Sequence, residues 1–208
     1  MKKLIFSAVT VAFLVLGVSA CNVIKDISKT IENIQRLEFK LGSVKEFSLA
    51  GVNLSRVNSL GDLSISQGLK LTNSFRKNRL PADFTLMLNA KNPNDGSGGS
   101  KETKATIKNI DWRLFIDGTE TISGVVNDNI VVPGTGSAVD IPIRINLDLY
   151  DFFGNKGYDR LINLALTLGG SKGSSSKLTL DIKPTVSTGI GDIRYPGRIK
   201  VVDKQWKN

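Results

Sequence analysis

Histidine is absent from this chain, and its one cysteine is Cys21. A Ser-His-Asp set needs an imidazole to carry the proton, and zinc sites draw on His and Cys, so both chemistries fall away. Paired carboxylates remain: Asp148 with Asp151, and Asp117 with Glu120. Glycosidases use such pairs, but from a deep cleft and from distant segments. Acids at strand ends and turns are expected instead to be solvated. Asn92, Asn94 and Asp95 offer oxygen ligands of the kind calcium takes. They lack the spacing of a calcium loop, and a structural Asn-Pro-Asn turn explains the same residues. Gly169-Gly170-Ser171-Lys172-Gly173-Ser174 is glycine-rich like a phosphate loop, yet it lacks the Gly-Lys-Ser/Thr order and does not lead directly into a helix. No catalytic residue, cofactor, metal or small-molecule substrate is therefore expected, and the chain reads as non-enzymatic.

The lone cysteine is better placed for lipid than for catalysis. Met1-Lys2-Lys3 is a positive start, and Leu4 to Val18 is an almost unbroken apolar run. That run is short for a spanning helix and small residues follow it, as in a cleaved signal peptide. Leu16-Gly17-Val18-Ser19-Ala20-Cys21 resembles a bacterial lipobox. An ordinary signal peptide with a chance cysteine is the alternative, disfavoured because the only thiol lies at the expected cut. The resemblance implies acyl chains on Cys21, which would hold the protein on a membrane. Asn22 follows the cysteine where an Asp would favour inner-membrane retention, which points to the outer membrane if the cell is Gram-negative. The formal charge of +9 includes two lysines of the signal segment. A basic surface suits anionic headgroups or nucleic acid, and export argues against nucleic acid.

Four regions follow: a signal peptide over 1–20, a lipidated tether over 21–38, a β domain over 39–203 and a basic tail over 204–208. In the tether, Ile24, Ile27, Ile31 and Ile34 recur at helical spacing. A short amphipathic helix is expected there, packed on the domain or laid on the membrane. The tail carries Lys204, Trp206 and Lys207, which could touch a membrane or cell-wall polymer, or simply be a loose end.

Strand signals dominate from Leu41 onward. Phe84, Leu86, Leu88 and Ala90 alternate with polar residues. So do Ile110, Trp112, Leu114 and Ile116, and Val139 through Leu147. Pro142 suggests an edge strand, since proline cannot donate to a ladder. Leu178, Leu180 and Ile182 mark another strand, and Ile193 to Val202 a last one. Ala105 and Ile107 are out of phase with Ile110, which predicts a bulge near Lys108-Asn109. Asp117-Gly118 predicts a hairpin and Pro133-Gly134 a turn. Residues 62–79, with Leu63, Leu69, Leu71 and Phe75, read as a helix, as do residues 158–168 with Leu161, Ile162, Leu164, Ala165 and Leu168. About seven strands at this spacing predict an antiparallel β-sandwich with one or two added helices.

At Lys91-Asn92-Pro93-Asn94 a family resemblance emerges. A strand ending in Asn-Pro-Asn, a long strand closing in Asp-Gly, then Ile-Val-Val-Pro-Gly and another alternating strand resembles the WHy (water stress and hypersensitive response) domain of the type 2 late embryogenesis abundant proteins. The match covers roughly Phe84 to Leu147 and extends back to Ser43–Leu54, where Phe47 to Leu54 resembles the family's opening strand. It implies a fibronectin type III-like sandwich, a structural role for Asn92, Pro93 and Asn94, and a part in desiccation or stress tolerance. It brings no catalytic mechanism. The insertion at 62–79, the glycine-serine loop after Asn94 and the helix before the late strands depart from the family pattern. Two functions are therefore carried forward. One is non-enzymatic protection of the envelope; the other is a structural lipoprotein that binds an envelope protein through a sheet edge. The anchor is tested first: Cys21→Ala should abolish cleavage by the lipoprotein signal peptidase and incorporation of labelled fatty acid. Mature wild-type protein that takes up no label would end the lipoprotein reading.

Overall fold

Alternating burial builds two antiparallel sheets in the computed structural model, which describes residues 28–97, 102–170 and 177–202. In β3 (Pro81–Lys91) the side chains of Ala82, Phe84, Leu86, Leu88 and Ala90 are buried and every intervening one is at least partly exposed. Pro81 opens the strand, where the donor it lacks costs least. β3 pairs with β1 (Glu38–Leu49) on one side and β6 (Ala138–Asp148) on the other. A two-residue β2 (Val52–Asn53) completes that sheet, in the order β2-β1-β3-β6. β6 with Pro142 is thus an edge strand, as its proline requires.

The second sheet runs β5-β4-β7, with two short strands beside β7. β4 (Ala105–Ile116) and β5 (Thr119–Val132) form a hairpin through Asp117 and Gly118, at φ of 49° and 80°. Both residues tolerate that left-handed geometry. The register of β4 shifts between Ile107 and Asn109 against both neighbours, which places the predicted bulge at Lys108. β7 (Leu178–Thr188) pairs with β8 (Gly191–Arg194) and β9 (Ile199–Val201). The facing apolar sides, among them Leu86, Leu88, Ile143, Ile110, Leu114 and Leu180, make one continuous core. This is the mainly β, antiparallel sandwich that the alternation predicts.

The described residues form nine strands where about seven were expected. The expected strand from Ile193 to Val202 is broken: Pro196-Gly197 interrupts it, and its halves pair separately with Thr185–Thr188 and Leu180–Ile182. A proline without an N–H and a following glycine make a turn where a ladder would otherwise continue. The Phe47–Leu54 segment is not one strand either. It is the end of β1, a reversal at Ala50 and Gly51 with φ of 46° and 71°, and β2.

Helices close the open ends. Residues 28–35 are helical, here α1, with Ile34 buried and Ile31 at the surface. α2 (Ile65–Arg76) is shorter than the predicted span; Ser64 and Gln67 form a capping box at its start. Leu71 is buried and Leu63 and Phe75 pack beside it. Leu69, two positions before Leu71, falls on the far side of the helix and is 58% exposed. After the short α3 (Leu149–Phe153), α4 (Tyr158–Gly169) buries Leu161, Ile162, Ala165 and Leu168, with Leu164 at the margin. α4 packs along β1 and covers part of the seam between the sheets.

Trp112 shows how little slack the core has. It lies opposite Gly124 on β5, and a Cβ at that glycine would come within 2.6 Å of the indole ring. The ring therefore uses space that only glycine leaves free. Trp112→Ala should lower the free energy of unfolding by about 3–5 kcal/mol in urea titration.

Candidate functional site

The Asn-Pro-Asn turn lies where β3 leaves its sheet, with Asn92 fully buried and Asn94 2% exposed. Asn92 Oδ1 accepts from the Asn94 backbone N–H at 3.1 Å and from Asn94 Nδ2 at 2.8 Å. Asn92 Nδ2 donates to the Thr103 carbonyl at 2.7 Å and, at 3.4 Å, to that of Val132. Thr103 leads into β4 and Val132 ends β5, so one amide at the end of a first-sheet strand ties down two strands of the second. The Asn94 carbonyl accepts from Thr103 N–H at 3.0 Å. Gly134 packs on the same point; a Cβ there would lie 2.7 Å from the carbonyl oxygens of both Asn94 and Thr103. Pro133-Gly134 is thus a turn whose glycine is required by close approach of backbone.

Asn94 reaches in the other direction. Its Nδ2 donates to the Asn33 carbonyl of α1 at 3.0 Å. Ile34, next in α1, is buried in the core. The amide orientations are fixed by this network: turning either one over would set carbonyl against carbonyl. Among the described residues, Asn94 Oδ1 has no hydrogen-bond partner. A cavity of about 210 Å³ adjoins the turn, lined by Asn33, Ile34, Asn94, Thr103, Val186 and Thr188 among others. Apart from Lys104, its polar groups are amides, carbonyls and hydroxyls, which can hold water or a neutral polar group.

The other sequence candidates are dispersed. Asp95 Oδ1 accepts from Ser97 N–H at 2.9 Å, and Ser97 holds that carboxyl below its ordinary range. Together with the bonds on Asn92 Oδ1, this commits two of the calcium-type oxygens to N–H donors, while Asn94 Oδ1 accepts none. Among the described residues no three His, Cys, Asp or Glu side chains converge as a metal site. Asp148 is the cap of α3: one oxygen accepts from Leu80 N–H at 2.6 Å and Tyr150 N–H at 3.0 Å. Asp151 lies in the first turn of that helix. Asp117 sits between Lys177 and Lys156, at 3.0 and 3.1 Å, and those lysines, Lys177 first, draw its carboxyl below the usual value. Glu120 is exposed on β5. Cys21 with the signal and lipobox, Ile24 and Ile27, Ser171 to Ser174 of the glycine-rich loop, and Lys204, Trp206 and Lys207 lie outside the described residues. Among the described residues no helix is long and apolar enough to cross a membrane.

Sequence reasoning did not find the partners of the turn, Asn33, Thr103 and Val132, because their contributions are backbone carbonyls. It also missed Asp111, which holds Arg198 at 2.6 Å and Arg194 at 2.9 Å on either side of the Pro196-Gly197 break. Arg198 foremost, with Arg194 and Arg113 adding charge, lowers the Asp111 carboxyl.

No protein-family model matches the chain, and no curated protein sequence matches it. Solved structures similar to it include two of low identity. One is the solution structure of a candidate late embryogenesis abundant protein, 18% identical, with 89% of this chain and 87% of that chain covered at a TM-score of 0.35. The other is the crystal structure of a protein from Archaeoglobus fulgidus, 13% identical, with 80% of this chain and all of that one covered at a TM-score of 0.30. At these identities and scores the likeness assigns neither family nor activity.

Two outcomes follow from the geometry. Asn92→Ala leaves two buried carbonyls and a buried N–H without their partner, and should cost about 1–3 kcal/mol of stability in urea unfolding. Asp111 is paired only in the folded state, so its folded pKa lies below the ordinary 3.8. Its contribution is complete above that value and is lost as pH falls through the folded one. Wild-type stability should therefore drop more steeply than that of Asp111→Asn on acidification below about pH 4.

Proposed function

We propose that this chain is a lipid-anchored envelope protein whose sandwich protects envelope components, without catalysis, during desiccation or related stress. The observation that carries the reading is the Asn-Pro-Asn turn. The residues on which the family resemblance rests are the ones that join the two sheets and clasp α1, the helix that leads back toward Cys21. The motif therefore acts as architecture for an anchored domain. The charged and polar outer faces of the sheets, with their carboxylates held by lysine, arginine and backbone N–H groups, suit a hydrated protein that works by its surface. The resemblance to the WHy domain supplies the stress role, and the lipobox supplies the anchor.

A second reading rests on β5. This strand has 14 residues, is hydrogen-bonded along one side only, and exposes Val125 and Val131 at 55% and 49%. Such an edge can accept a strand from another envelope protein. A deletion strain dried and rehydrated separates the two. Loss of survival with normal envelope composition, restored by the wild-type gene, is the outcome expected for protection. Unchanged survival together with loss of one envelope complex would favour assembly and end the protective reading. The folded Asn92→Ala protein, assayed well below its melting point, should still protect a drying-sensitive enzyme in proportion to its folded fraction.

A further inference from the structure

We infer that the outer face of α2 is a second membrane contact, one that docks on anionic lipid headgroups independently of acyl chains. Ile65 is 85% exposed and Leu69 58% exposed, and they lie one helical turn apart. The other large exposed apolar residues, Ile31, Val125, Val131 and Ile190, come from three different parts of the fold. The helix's opposite face is used up: Leu71 is buried, and Phe75 packs edge-on against Tyr150 and Tyr158 at 5.2 and 5.4 Å.

Charge identifies the occupant. From Leu63 to Ala82 the chain contains Lys70, Arg76, Lys77 and Arg79 and no acidic residue. Lys70, Lys77 and Arg79 line a shallow basin of about 420 Å³ with Asn73 and Ser74, next to the exposed apolar pair. The nearest acids face elsewhere. Asp62 Oδ2 accepts from the N–H groups of Asn58 and Ser59. Asp148 caps α3 and touches Arg79 only at 3.7 Å, leaving that side chain 73% exposed. Two apolar side chains make a small footprint for a protein partner. A bilayer needs no shape complementarity: short apolar groups enter the headgroup boundary while flanking cations bind lipid phosphates.

The position of α2 gives the contact a consequence. β1 begins beside the Asn-Pro-Asn turn and ends beside the α2 pole, about 35 Å away at the usual rise per residue. The docking itself does not rest on acylation. If the anchor proposed above also holds, the sandwich is attached near both poles and lies along the bilayer.

The test uses the chain from residue 21 onward with Cys21→Ala, which keeps every described residue and removes the acyl site. It should float with vesicles containing phosphatidylglycerol, stay behind with pure phosphatidylcholine, and be released by high salt. Lys70→Gln with Lys77→Gln should weaken partitioning about 25-fold, at about fivefold per cation. Ile65→Ser with Leu69→Ser should weaken it about tenfold. These are surface positions, so melting temperatures should match wild type. An environment-sensitive dye on Asn73→Cys in the same background should shift to the blue when anionic vesicles are added, which reads the contact without altering the apolar pair. The proposal fails if the Ser variant binds as well as wild type, if neutral and anionic vesicles bind alike, or if the dye does not respond. Acyl labelling of Cys21 is read separately, so failure of the anchor and failure of this contact cannot be confused.

Discussion

A polar group buried between two sheets must find partners there, and Asn92 finds four. Its amide joins the end of β3 to Thr103 and Val132 in the opposite sheet and to Asn94 beside it. Hydrophobic burial holds the sheets together but is indifferent to small slips. The amide is not, because a displacement of an ångström or so would strand buried donors and acceptors at a cost comparable with much of a domain's net stability. Asn92 holds the strand ends at this pole, while the Asn94 side chain that it orients seats α1, and the 133–134 turn packs on the carbonyls of Asn94 and Thr103.

Legibility followed periodicity. Wherever one face of a strand is wet and the other dry, as in Phe84–Ala90 or Ile141–Leu147, the alternation in the chain is the burial pattern of the fold. The phase slip between Ile107 and Ile110 disclosed a bulge for the same reason. Local turn chemistry was equally readable at Asp117-Gly118, where both residues adopt positive φ.

What escaped the sequence is what depends on distance along the chain. The bond from Asn94 to the Asn33 carbonyl spans 61 positions, and those from Asp111 to Arg194 and Arg198 span 83 and 87. No periodic signal encodes such pairs. Apolar identity alone does not separate Leu69 from Leu71, which helix geometry sets on opposite faces, one exposed and one buried. Pro196 was visible but underweighted: the apolar run on either side of it concealed a break. For the site, the turn was legible as a motif, but its role as a junction between the sheets and α1 was not.

The interruption at Pro196-Gly197 bears on how such a protein behaves when crowded. A sheet edge is a template for any passing chain, and concentrating a solution makes collisions more frequent. Here the β7 side of the second sheet is finished by two short strands with a kink between them, which offers no long run of free donors and acceptors. The β6 edge carries Pro142, a residue with no N–H to share with an added strand. With those two edges closed to an added strand, the long β5 edge is the place where neighbouring chains would pair as solvent is withdrawn.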